Sequence, residues 1–185
     1  MEIKKVSPSQ PALKWALIGL VTSIVITYAF QFLNVDPNSP VKYLNLLPFI
    51  AFLFLTQKEY KDLLGGYMTF GEGFLSGFLY AVFVGVLSAI FTYVYYAILS
   101  PEMIDKTLAA SQSKMVEQGL SQEQIDKAME ISHKYFAVIG TVVALFGSAI
   151  MGIIIALIGA VIFKKERSPL DVPDTEYQAP DEPAV

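Results

Sequence analysis

Apolar residues fall into four blocks along the chain, separated by short polar stretches. A helix needs roughly 20 apolar residues to cross the ~30 Å hydrocarbon core of a bilayer. Leu13 to Leu33 meets that length, with Lys14 as its one charge. The block exceeds a signal-peptide core of about 7–15 residues, and no small-x-small cleavage site follows it, so it reads as a retained helix. Its polar members Gly19, Ser23, Thr27 and Gln31 recur every fourth position and form one stripe. Asp36-Pro37-Asn38-Ser39-Pro40 is a turn by composition.

The second block, Tyr43 to Thr56, is short. At 1.5 Å per residue it covers about 21 Å. Lys42 can snorkel, Gln57 to Leu64 can carry the helix on into water, and Pro48 forfeits one backbone bond or introduces a slight kink. A re-entrant or interfacial segment is the alternative. Gly65-Gly66 ends the helix, and Thr69 with Glu72 has the spacing of a capping box. The third block, Phe74 to Leu99, holds no charge and ends in Tyr93, Tyr95 and Tyr96, an aromatic belt by position.

Ser100-Pro101 opens the only sizeable polar region. Ile104, Leu108, Ser111 and Met115 share one helical face, Gly119 stops that helix, and Ser121 with Gln124 forms a second capping box. Ile125, Met129 and Ser132 continue at helical spacing. Residues 101–134 therefore predict a helical hairpin outside the bilayer, its second arm running into the fourth block, Tyr135 to Phe163. The stretch 164–185 carries four prolines and five acidic residues from Pro169 onward, and is expected to be a disordered acidic tail.

Composition narrows the class. Of the 185 residues, 54% are hydrophobic and 16% charged, against about 25% charged in a soluble domain. There is no cysteine, which removes disulfides, thiolate metal sites and thiol nucleophiles. A single histidine argues against His-based relays and metal sites, and a net charge of −4 offers no footprint for nucleic acid. The expected fold is all-α: a polytopic integral membrane protein with spans at about 13–33, 43–56, 74–99 and 135–163. A cytoplasmic segment 1–12 precedes them. Lys and Arg near the spans set the orientation. With the N-terminus inside, Lys4, Lys5, Lys14, Lys58, Lys61, Lys164, Lys165 and Arg167 lie inside, against Lys42, Lys106, Lys114, Lys127 and Lys134 outside. Both termini are thus expected in the cytoplasm and the hairpin on the far side.

Small residues are the clearest packing signal. Gly73, Gly77, Ala81, Gly85 and Ala89 stand four apart in the third block; Gly140, Ala144, Ser148, Gly152, Ala156 and Ala160 do so in the fourth. Such spacing lets helix backbones approach closely within lipid, on each other or on another subunit. Three polar residues stand out as candidates for function. Glu72 could hold a cation or proton, though the capping box accounts for it. Gln31, with its stripe, could line a pathway, though hydrogen bonding between helices explains it as well. His133 could sense pH, though an interfacial polar role is the simpler reading. Lys58 and Asp62 have i, i+4 spacing, and Tyr60, Tyr67, Phe70 and Phe74 read as interfacial anchors. No H-E-x-x-H, nucleophile elbow or phosphate loop is present, so neither an enzyme nor a cofactor is expected.

The segment Tyr67-Met68-Thr69-Phe70-Gly71-Glu72-Gly73-Phe74 with Gly77, the Ser-Pro-Glu at 100–102, the stretch Glu117 to Ile125 and a Gly-rich last span ending in Lys164-Lys165 resemble the bacterial four-helix membrane proteins grouped as domain of unknown function 4199. The resemblance covers roughly 10–166. It implies four spans in a bacterial inner membrane and assigns no residue a role. The expected function is non-enzymatic: a structural or accessory protein working through small-residue packing and its outer hairpin. Its partners would be the bilayer and a second copy or another membrane protein. A small oligomeric transporter or channel is the alternative.

Overall fold

The computed structural model describes residues 6–35, 39–99 and 101–166. The expectations for the turn at 36–38, for Ser100 and for the tail from 167 onward fall outside these residues. Within them the chain is all-α. Helix α1 is Ser9–Phe32, and a 3-10 turn, Pro40–Asn45, leads into α2, Leu46–Leu63. Helix α3, Phe70–Val94, continues through a π-helical turn at Tyr95–Leu99; α4 is Glu102–Glu117 and α5 is Gln122–Phe163. Three helices are long and apolar enough to cross a membrane: α1, α3 with its π turn, and α5. Helix α2 is not among them, because Lys58, Glu59, Lys61 and Asp62 occupy its last turns.

Local signals set the helix ends. Thr69 Oγ1 accepts from the Glu72 amide while the Glu72 carboxylate takes the Thr69 N–H, so the capping box closes in both directions. Ser121 and Gln124 do the same for α5. Gly65, Gly66 and Gly119 have φ of +80°, +87° and +76°, a left-handed backbone that favours glycine. The amides of Gly65 and Gly66 bond back to Asp62 and Lys61, which satisfies the last carbonyls of α2. Pro48 is the third residue of α2, which follows the 3-10 turn without a break.

The helices run up, down, up and down. The start of α1, the end of α2, the start of α3 and the end of α5 meet at one end of the bundle. Lys14 on α1 pairs there with Glu59 on α2, and Met68 bridges to Lys165 by two backbone hydrogen bonds of 2.9 Å. Lys164 to Glu166 are therefore structured, although the sequence placed them in the tail. The core is gathered at this end, around Ala12, Ala16, Leu53, Tyr80, Ile155 and Ala156. At the other end α2 has not yet begun, so α1, α3 and α5 stand without a fourth helix. There the α5 small residues Gly140, Ala144 and Ser148 are only half-buried.

Outward faces are apolar. Val21, Val25 and Phe32 on α1 and Val143, Phe146, Ile150, Val161 and Ile162 on α5 are all at least 60% exposed. A patch of this extent has no place on a water-soluble monomer and suits lipid. At its N-terminal end α5 receives α4, and Leu108 of α4 and Ile125 of α5 are both buried.

Candidate functional site: a buried amide clasp and a polar cavity

The two small-residue rows face each other. Helices α3 and α5 are antiparallel, so each four-residue step up one row is matched by a step down the other. A Cβ on Gly73 would stand 3.2 Å from the Ala160 Cα, and one on Gly77 would stand 2.8 Å from the Ala156 Cβ. A Cβ on Gly152 would collide with Ala81, and one on Gly85 with the Ser148 hydroxyl, which itself bonds Leu145 O at 2.9 Å. Gly140 meets Thr92 at the far end. The rows are thus paired within one chain.

By its place in the polar end of α2, Gln57 is expected to face water. The structure corrects this. Gln57 is fully buried between α2, α3 and α5. Its Nε2 donates to the backbone oxygens of Gly73 at 3.0 Å and Ala156 at 2.9 Å. Its Oε1 is shielded, has no hydrogen-bond partner and lies against Gly159, where any Cβ would overlap it. The small residues leave room for this amide as well as for the helix contact. Its only legible trace was Gly159, which lies off the four-residue row.

Tyr60, expected as an interfacial anchor, is also buried. Burial raises the pKa of its phenol, and the Glu72 carboxylate adds to the rise. Glu72 Oε2 accepts from both the Thr69 amide and hydroxyl at 2.8 Å. It borders a shallow pocket of about 390 Å3 with Tyr67, Met68 and Lys165. Lys58 and Asp62 form no ion pair. Two ion pairs stand in this region, Lys164 with Glu166 and Lys14 with Glu59, whose Oε2 also accepts from the Trp15 indole at 2.7 Å. Trp15 stacks on Phe52, which locks α1 to α2.

At the other end Tyr95 departs from the expected belt. It is buried, and the π turn brings its hydroxyl to Gln31 Oε1 at 3.0 Å. Gln31 therefore joins α1 to α3. Tyr28, Phe91 and Tyr96 pack around the same ring. Just beneath lies a cavity of about 250 Å3, lined by Ser23 and Thr27 of α1, Asn45, and Ser88, Thr92 and Tyr96 of α3 and its π turn. Two members of the α1 stripe thus face a cavity, while Gly19 abuts Tyr80 and Phe52. His133 is exposed, 3.4 Å from Asp105 on α4.

Among the described residues no cluster of His, Asp or Glu could hold a metal. No curated protein and no solved structure shows a significant match to this chain. A family model does match, over residues 14–165, which takes in α1 from Lys14 to the end of the bundle at Lys165. With most of its length inside that match, the chain belongs to the family described as Protein of unknown function (DUF4199).

Proposed function

We propose that this is a four-span integral membrane protein of a bacterial inner membrane, structural or accessory and without enzymatic activity. It would present α4 and the start of α5 outside the bilayer as its contact surface, with both termini cytoplasmic. One observation carries the reading. Helix α5 has 42 residues, about 63 Å, while a bilayer with its headgroups is about 40–45 Å thick. One end must protrude, and the polar end is the one that holds α4. The up–down–up–down course supports four crossings even though α2 is short. The small-residue rows are used within the chain, so they leave no free seam for a partner, whereas Val116 and Ile131 on the hairpin are 59% and 57% exposed.

The test is site-specific photo-cross-linking in native membranes at Val116, at Ile131 and at the lipid-facing Ile150. The expected result is a discrete protein adduct from the hairpin positions and none from Ile150. Monomer alone at all three positions would refute a contact role for the hairpin. The alternative, a small oligomeric transporter or channel, draws support from the polar cavity. Flux through proteoliposomes that drops in Glu72→Gln would favour that alternative.

A further inference from the structure

We propose that the cavity between α1 and α3 binds an uncharged, hydroxyl-bearing group, and that the groups waiting for it are Ser23, Asn45, Ser88 and Thr92. The argument starts from what other hydroxyls in these helices do. Thr22, Thr27, Thr56 and Thr141 each donate to the carbonyl four residues back, at 2.7–2.9 Å. That bond is the ordinary refuge of a hydroxyl in a membrane helix, where water is absent. Ser23, Ser88 and Thr92 make no such bond, and all three border the same cavity. Asn45 borders it as well, and its side-chain oxygen is shielded from solvent with no partner. Four unpartnered hydrogen-bonding groups gathered at one place carry a penalty in apolar surroundings that a bound polar group would relieve.

The cavity lies where the 3-10 turn passes into α2, between α1 and α3. Asn45, the last residue of the 3-10 turn and the N-cap of α2, reaches the cavity beside Ser23 and Thr27. At about 250 Å3 the cavity falls just below the usual range of ligand pockets, which run from about 300 Å3, so it suits a small group. No lining residue carries a charge. An anion would lack a cation to meet it, and a cation would lack a carboxylate, so either would bear an unpaid desolvation cost. An alcohol suits the lining, since it both donates and accepts. Leu20, Ile24 and Phe91 supply an apolar wall beside the polar one, so the hydroxyls could belong to a free polyol or to the glycerol end of a lipid.

The chain has no cysteine, so Ser88→Cys carries a unique thiol. The protein is reconstituted in phosphatidylcholine nanodiscs and modified with uncharged 2-hydroxyethyl methanethiosulfonate. Ile90→Cys, at a position 59% exposed on α3 and facing lipid, serves as reference. Ser88→Cys is expected to react about tenfold faster, because a thiolate forms poorly in hydrocarbon. Glycerol or monoolein should then slow it about threefold, as mass action requires once the site is mostly filled. Slowing by monoolein alone assigns the hydroxyls to a lipid, and slowing by both admits a free polyol. Thr92→Cys is run in parallel in case Ser88→Cys fails to fold. Reaction no faster than at Ile90→Cys overturns the proposal. So does a fast reaction that neither glycerol nor monoolein slows, or one that tetramethylammonium slows more than either.

Discussion

Gln57 shows what one polar side chain does when water is absent. Two hydrogen bonds to backbone oxygens of different helices tie α2 to the α3–α5 pair. Polar contacts between membrane helices are worth about 0.6 kcal/mol on average and up to about 1.7 kcal/mol. Gln57→Met keeps the volume and drops both bonds, so it should lower unfolding stability by about 1–3 kcal/mol. Equilibrium unfolding in mixed micelles measures this, and a change within error would show that packing alone holds α2. Gly159→Ala should cost a similar amount, because the new methyl occupies the space of the Gln57 oxygen and displaces the amide. Gly147→Ala is the matching control. A Cβ there meets nothing within 4 Å, so the variant should be neutral or more stable by up to about 1 kcal/mol. The place of Gln57 was not legible from its neighbours in the chain. Lys58, Glu59, Lys61 and Asp62 around it mark the polar end of a helix, yet the residues that bury it lie 16 and 99 positions away.

Between elements, the α3–α5 pair depends on matched sizes. Ala81 and Gly152 meet at one level of the seam, and an added methyl on Gly152 has nowhere to go. Gly152→Ala should destabilise by about 1–3 kcal/mol through overpacking. Ala81→Gly in the same chain frees that space, and the double variant should recover more than half of the loss. A double-mutant cycle with no coupling would place the two residues apart. The rows themselves were legible, since a four-residue spacing of Gly, Ala and Ser is a local property. Their partner was not. The same rows would have suited a second subunit, and only the antiparallel return of α5 along α3 brings Gly73 to Ala160 and Gly77 to Ala156. The aromatic belt illustrates the opposite case. Tyr93, Tyr95 and Tyr96 read alike in sequence, yet the π turn sends Tyr95 inward to Gln31 and leaves Tyr93 49% exposed.

Across the whole molecule, the short α2 divides the bundle into a packed half and an open half. The packed half holds the core, the Gln57 clasp and the Lys14–Glu59–Trp15 contact. The open half holds the cavity, an apolar groove of about 360 Å3 beside Val86, Ile90 and Leu145, and the docked α4. The proposed topology is tested with the same cysteine-free background. In intact cells an impermeant maleimide should label Lys114→Cys on α4 and spare Lys58→Cys at the other end. Label on Lys58→Cys alone would invert the orientation, and label on neither would place α4 away from the outer face.

Membrane character, the helix caps, the left-handed glycines and the two small-residue rows follow from the amino-acid sequence alone. The caps and left-handed glycines rest on residues within about one or two turns, and the spans and rows on spacing along a single helix, so position in the chain suffices to specify them. The burial of Gln57, the Tyr95–Gln31 bond and the cavity were decided only in the tertiary structure. Each depends on which distant segment arrives opposite. A serine on a helix face reads the same whether lipid, another helix or an open cavity lies across from it, because hydrophobic periodicity records that a face is turned inward and not what it meets there.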